Sequence, residues 1–319
     1  MSIGDTMATM PGLHLPQKQH PRQSTQHTPS TREALQEIPT RPESPARETR
    51  SQEAEHLYSM SQPIAVGVGW HSGIARRHSP NEDSLVVLQG TCTYLGRLVP
   101  FSLLIVADGM GGHDYGLEAS RLAMQSMMHT VLSTIVMGNE LTGQFLIDMM
   151  IGGAQWANAA VLQRGQEWGK EIGTTLTAAL VVGYRAYIVN VGDSRTYIYR
   201  ADMQPRLKPI TRDHSLVARL VEAGRIAPED VYTHPERNKV YRSLGSEREV
   251  EIDWFVIELE SEDELLLCSD GLWEMVRDPE IERVLNYGVD PTRSCDMLVQ
   301  AALRGGGRDN ISVIVAQVP

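Results

Sequence analysis

The sequence predicts an α+β fold in which mainly antiparallel sheets are layered against helices. Three observations carry that prediction. From Pro63 onward, short runs rich in Val, Ile, Leu and Tyr recur between turn residues, as strands of a sheet do. Two long segments instead repeat apolar residues at helical spacing. The order is strands, two long helices, strands, a shorter helical stretch, then strands and a late helix. That order lacks the strict strand-to-helix alternation of a doubly wound parallel sheet.

Taken along the chain, residues 1 to 60 stand apart. They hold seven of the 17 prolines, many Ser, Thr, Gln and His, and neither Trp nor Phe. Such a stretch buries too little apolar area to offset chain entropy, so a disordered tail is expected there and a folded domain over residues 61 to 319. The clearest strand runs are Phe101 to Ala107, Thr174 to Val182, Ala186 to Val191, Thr196 to Arg200, Val250 to Leu259, Glu264 to Cys268 and Ile311 to Val318. Met124, Met127, Met128, Val131, Leu132 and Ile135 mark the core face of the first long helix. Leu146, Met149, Met150, Gly153, Ala157, Ala160 and Val161 mark that of the second. The methionines are read as core filling. Ser215 suits the N-cap of a helix over Leu216 to Ala223, which Gly224 ends, and a late helix spans Pro291 to Leu303.

Composition narrows the function. The 319 residues carry 40 acidic and 29 basic side chains, a formal charge of -11. The tail accounts for only -1 of it, so the folded part is the acidic part. Acid excess argues against a nucleic-acid partner, since phosphate backbones are held by surplus Lys and Arg. The apolar region from 122 to 161 is interrupted by polar residues before ~20 accumulate, so no membrane association is expected. Cys92, Cys268 and Cys295 are an odd number at wide spacing, which suits a reducing, cytoplasmic setting. None has an Arg six positions on, so a thiol phosphatase mechanism is excluded.

Four apolar strand runs each abut an aspartate in a Gly, Ser or Asn turn. They are Leu103 to Gly109 with Asp108, Ile188 to Arg195 with Asp193, Leu265 to Gly271 with Asp270, and Arg308-Asp309-Asn310 leading into Ile311. One Asp-Gly turn is ordinary loop chemistry. Four of them, with Glu82-Asp83 after Asn81, are carboxylates held rigidly at strand ends, and carboxylates converging there repel unless a cation lies between them. Hard oxygen donors without a His or Cys cluster suit Mg2+ or Mn2+; no calcium-loop motif occurs. Two such ions activate water for in-line displacement at phosphorus. The Arg76-Arg77 pair just upstream offers a planar fork for phosphate oxygens.

These residues fall in seven ordered blocks: Asn81-Glu82-Asp83-Ser84, Val106 to His113, Gly173-Thr174-Thr175, Val191 to Arg195, Asp213-His214-Ser215, Ser269 to Trp273 and Gly307 to Asn310. Together they resemble the protein phosphatase 2C family, and Asp108-Gly109-Met110-Gly111-Gly112-His113 resembles its bacterial branch. The resemblance spans residues 64 to 317. It implies a four-layer α-β-β-α sandwich with a binuclear Mn2+ or Mg2+ centre at one end. By motif matching, Asp108 bridges the two metals and the Gly109 carbonyl binds one. Asp270 and Asp309 hold the other, Glu82 and Asp83 contact bound waters, and Asp193 serves a weaker third ion. A flap around residues 213 to 245 borders the cleft. His78 stands where the family usually has Arg, so either Arg76 or Arg77 binds the phosphate. His113 is either a proton donor to the leaving oxygen or a loop residue that binds water.

The implied activity is a metal-dependent serine/threonine phosphoprotein phosphatase, a signalling hydrolase and monomer that opposes a Ser/Thr kinase. A metal-bridging water attacks phosphorus directly. Two alternatives remain at this point: a catalytically weak, phosphatase-like binding module, and a hydrolase of small phosphate esters.

Overall fold

The computed structural model describes residues 62–94, 97–112, 114–137 and 141–319. The predicted tail lies outside the described residues. Twelve strands and six α-helices form among the described residues. Sheet one orders β1 (Ala65–His71), β12 (Ile311–Gln317), β11 (Glu264–Cys268), β8 (Arg195–Tyr199) and β9 (Leu207–Pro209). Sheet two orders β10 (Asp253–Glu258), β7 (Arg185–Val191), β6 (Leu176–Val182), β3 (Arg97–Ala107) and β2 (Ser84–Tyr94). A small ribbon joins β4 (Gly109–Met110) to β5 (Gly173–Thr174). Every pairing is antiparallel.

Continuous apolar strands are explained by burial on both faces. Along β3, Leu103 and Ile105 point into a cluster beneath the helices α1 (Asp114–Met137) and α2 (Gly143–Trp168), while Leu104 and Val106 point into the layer between the sheets. Along β11 the same alternation sends Leu266 and Cys268 toward α4 (Asp270–Trp273), α5 (Asp278–Leu285) and α6 (Pro291–Arg304), and Leu265 and Leu267 toward the other sheet. Period-two side-chain direction therefore fills three cores from one set of strands, giving the helix-sheet-sheet-helix order.

The long helices behave as their spacing predicts. Met127, Val131 and Ile135 of α1 and Leu146, Met150, Ala157 and Val161 of α2 are buried in one cluster. Thr142 caps α2 through the Phe145 N–H, and Gly169 closes it with φ of 61° in the left-handed region that glycine tolerates. By length and composition α2 would pass for a membrane span, but half of its most apolar window is buried inside the protein. Ser215 accepts from the Ala218 N–H and starts α3 (Leu216–Glu222), as predicted. The strand expected over Val250 to Leu259 is shorter, because only residues from Asp253 onward pair with β7. The run from Thr174 to Val182 is broken at Thr175, where the backbone passes from the ribbon to sheet two.

Candidate active site

The strand-ending aspartates meet at one end of the sandwich. In antiparallel sheets, the ends of β3, β7 and β11 and the start of β12 lie on the same side, so Asp108, Asp193, Asp270 and Asp309 all reach a common cleft of about 400 Å³. Arg76, Ser79, Glu82 and Gly109 line it too, and Asn238 and Val240 are supplied by the segment from 213 to 245. Asp83 is buried behind this wall.

Each acidic side chain is held by its neighbours. The Asp108 backbone is clamped by the threonine pair: its N–H donates to Thr175 Oγ1 at 2.9 Å, and its carbonyl accepts from Thr174 Oγ1 and the Thr175 N–H, both at 2.8 Å. Ser269 Oγ donates to Asp83 Oδ2 at 2.8 Å and accepts from the Ser312 N–H at 3.0 Å. Asn310 joins three loops: Oδ1 accepts from the Glu82 N–H at 2.8 Å, and Nδ2 donates to the Ser72 carbonyl at 3.0 Å. Gly109 has no room for a side chain, since a Cβ there would sit 2.1 Å from the Gly116 carbonyl oxygen. The absence of a Cβ lets the strand end pack directly on the first turn of α1.

Behind Asp193 stands a second layer. Trp273 Nε1 donates to the Asp193 carbonyl at 2.9 Å, and Arg195 stacks on the Trp273 ring at 3.8 Å while its Nε and Nη2 bind both Asp213 oxygens at 2.9 and 2.7 Å. The Gly192 N–H, at φ of +101°, donates to His214 Nδ1 at 3.0 Å. Two isolated bridges, Ser215 with Val240 and Thr174 with Leu244, fasten the segment from 213 to 245 over the cleft rim.

The electrostatics are those of crowded anions. Burial, reinforced by Asp83, Asp270, Asp309 and Asp193, raises Asp108 well above the usual carboxylate range. Burial and then Asp193 and Asp309 do the same to Asp270. Burial pushes Asp83 up to about 6, against the hydrogen bond from Ser269, and lifts Asp193 to about 7 with help from Asp213. Asp309 is also raised by burial, which outweighs Arg76. Arg76 answers this field. Its Nε lies 2.8 Å from Asp309 Oδ1 and its Nη1 3.5 Å from Glu82 Oε2. Burial opposes its charge, but Asp309, Glu82, Asp108 and Asp270 together hold its pKa above the ordinary value.

Two buried oxygens, Asp83 Oδ1 and Asp270 Oδ1, receive no hydrogen bond among the described residues. Unsatisfied carboxylate oxygen beside other carboxylates fits a hard divalent cation. Among the described residues no three acidic, His or Cys groups form a ready-made cage. An ion that keeps several of its waters, as Mg2+ does, suits such a spread donor set.

A scan against family models matches residues 73–304 to protein phosphatase 2C. The chain belongs to the protein phosphatase 2C family. It is 37% identical over 217 residues to the serine/threonine phosphatase stp of Listeria innocua, covering 67% of this chain and 84% of that one. It is 39% identical over 216 residues to the serine/threonine protein phosphatase PstP of Mycobacterium tuberculosis, covering 68% of this chain and 40% of that longer one. The crystal structure of the PstP catalytic domain in complex with two manganese ions superposes with a TM-score of 0.66 at 34% identity. That match covers 81% of this chain and 99% of the other. The four-layer fold expected from the protein phosphatase 2C resemblance is the fold observed.

Of the predicted site residues, Glu82, Asp108, Gly109, Asp193, Asp270 and Asp309 face the cleft and Asp83 lies directly behind it. The two arginines divide. Arg76 lines the cleft, whereas Arg77 is exposed and donates from Nε to His78 at 2.9 Å. His113 lies outside the described residues. Asn310, Thr175, Ser269 and the rim pair Asn238 and Val240 were not singled out as site residues, although the first three sit inside motifs already noted.

Proposed function

We propose that the protein removes phosphate from phosphoserine and phosphothreonine side chains of other proteins at this cleft. As a protein phosphatase 2C member it is a metal-dependent serine/threonine phosphatase, a hydrolase of the manganese or magnesium type. The observation that carries the site assignment is the convergence of Asp108, Asp193, Asp270 and Asp309 around orphaned carboxylate oxygen with Arg76 beside them. Asp108, with the Gly109 carbonyl, Asp270 and Asp309, would hold two ions; Glu82 and Asp83 would bind their waters, and Asp193 a third ion. When bound, the ions supply an activated water at neutral pH and offset the charge developing on phosphorus.

The chain's own groups do the rest. Arg76 presents a planar fork to phosphate oxygens and holds them for in-line attack. The threonine clamp fixes the Asp108 backbone, so the carboxylate that would hold the ions is preorganised. Residues 213 to 245 act as a flap over the rim. The reading extends to a monomer with no nucleic-acid or membrane partner. A cytoplasmic setting is supported by three buried cysteines that remain free thiols.

Phosphate release from a phosphothreonine peptide tests the assignment. Turnover with Mn2+ that EDTA stops is expected; folded protein that leaves every phosphopeptide intact with either ion would overturn it.

A further inference from the structure

A second cavity, of about 600 Å³, adjoins the acidic cleft and is mainly apolar. The two share Met110 and Gly111, which form the lip between them. Leu162 near the end of α2 and Ile172 in the following loop line the far side, and Ser243 of the flap return closes the near side. Gly169, beside which a Cβ would meet nothing within 4 Å, keeps the wall open. Leu162 is half-buried, and it is not one of the described residues packed against the core cluster under α2. Its apolar surface is turned to the groove instead. The ammonium of Lys170 on the rim stands 5.9 Å over the Tyr115 ring.

Volume, a mainly apolar surface with Gln166, Lys170, Glu171, Ser243 and Ser246 among its lining residues, and continuity with the cleft suit part of a larger ligand that enters the cleft. We propose that this groove seats an apolar side chain of the substrate polypeptide, two to four residues along the chain from the phosphorylated Ser or Thr. The distance follows from the lip: Met110 lies two residues from Asp108, about 7 Å in extended chain, so a strand-like substrate needs at least two residues to cross it and two to four to reach into the groove. The inference rests on the phosphoprotein reading of the cleft. It adds a sequence preference that the acidic centre alone cannot impose.

The test uses the full chain with Mn2+ and a phosphothreonine peptide scanned with one Leu in a Ser/Gly background, from four residues before to four after the phosphothreonine. One Leu position is expected to raise kcat/KM about tenfold. Leu162→Asp on the solvent side of α2 is expected to erase that preference through KM, with kcat and p-nitrophenyl phosphate hydrolysis unchanged. Equal kcat/KM at every Leu position, or a preference that survives Leu162→Asp, overturns the groove while ester hydrolysis still reports the cleft. If neither ester nor peptide turns over, the cleft reading fails by itself. Fluorescence anisotropy with a non-hydrolysable phosphonate analogue of the Leu peptide then decides the groove: tighter binding than the Ser peptide supports it, and equal binding refutes it.

Discussion

Acids stand at both ends of β11: Glu264 opens the strand, and Asp270 follows it by two residues at the start of α4, at most about 20 Å away in extended chain. At one end Glu264 is 3% exposed, its Oε2 has no hydrogen bond among the described residues, and burial alone raises its carboxyl to about 7. At the other end Asp270 also has an unsatisfied oxygen, but Asp193, Asp309, Glu274 and Asp83 add to the effect of its burial. A solitary buried acid relieves its cost by keeping a proton. A cluster cannot do this cheaply at neutral pH, because each carboxylate stands in the field of the others; it calls for a cation. What distinguishes a site from a local flaw is therefore the company of the acid, not its burial.

The contrast is broken most severely at the cleft. Asp270→Asn should lower turnover by at least about 10³-fold, since metal centres supply several kcal/mol of transition-state stabilisation. The circular dichroism spectrum should stay native, and with EDTA present the melting temperature should hold or rise, because one repelling charge is gone. A variant that keeps a tenth of the wild-type rate would falsify the site.

Between the two ends, Leu266 is fully buried on the helix side of sheet one. Leu266→Ala should cost about 3 to 4 kcal/mol in urea unfolding, with the rate per folded molecule unchanged. A fall in the rate per folded molecule would mean that the strand body and its ends are not separable.

At the far end the sign depends on pH. The fold raises the Glu264 pKa from 4.5 to about 7, so the protonated form is favoured in the native state. Its contribution is intact below about pH 4.5 and is lost as pH rises through 7. Glu264→Gln should therefore stabilise by about 2 to 3 kcal/mol at pH 8 and by less than about 1 kcal/mol at pH 5. Equal gains at both pH values would show that the side chain is not titrating.

These expectations rest on features that differ in how visible they are in sequence. Asp108, Asp193, Asp270 and Asp309 were legible because each follows or precedes a run such as Leu265-Leu266-Leu267-Cys268, and antiparallel pairing must bring such ends together. β1 and β2 were not, because Gly67, Gly69, Gln89 and Thr91 interrupt their apolar pattern; sheet position, not composition, makes them strands. The role of Asn310 depends on partners 228 and 238 positions away, which no local pattern encodes. The apolar groove was invisible for the same reason, since its walls come from Met110, Leu162, Ile172 and Ser243.

Arg76 and Arg77 give the finest comparison. As neighbours they are equivalent in sequence, yet only Arg76 contacts Asp309 and Glu82. Arg76→Ala should reduce kcat/KM for a phosphopeptide by about 10²-fold through the lost charged hydrogen bonds to phosphate. Arg77→Ala should change it by less than about twofold and shift stability by no more than about 0.5 kcal/mol. Similar losses from both would return the phosphate contact to either residue.

The indole behind Asp193 makes the centre optically readable. Trp70, Trp156, Trp168 and Trp254 are 41% or more exposed, whereas Trp273 is 1% exposed and bonded to the Asp193 carbonyl. Its fluorescence should form the blue edge of an otherwise red-shifted emission band, resistant to iodide quenching. Ions arriving beside Asp193 and Asp270 should perturb that edge and leave the red side unchanged, so occupancy can be titrated without any substrate or label.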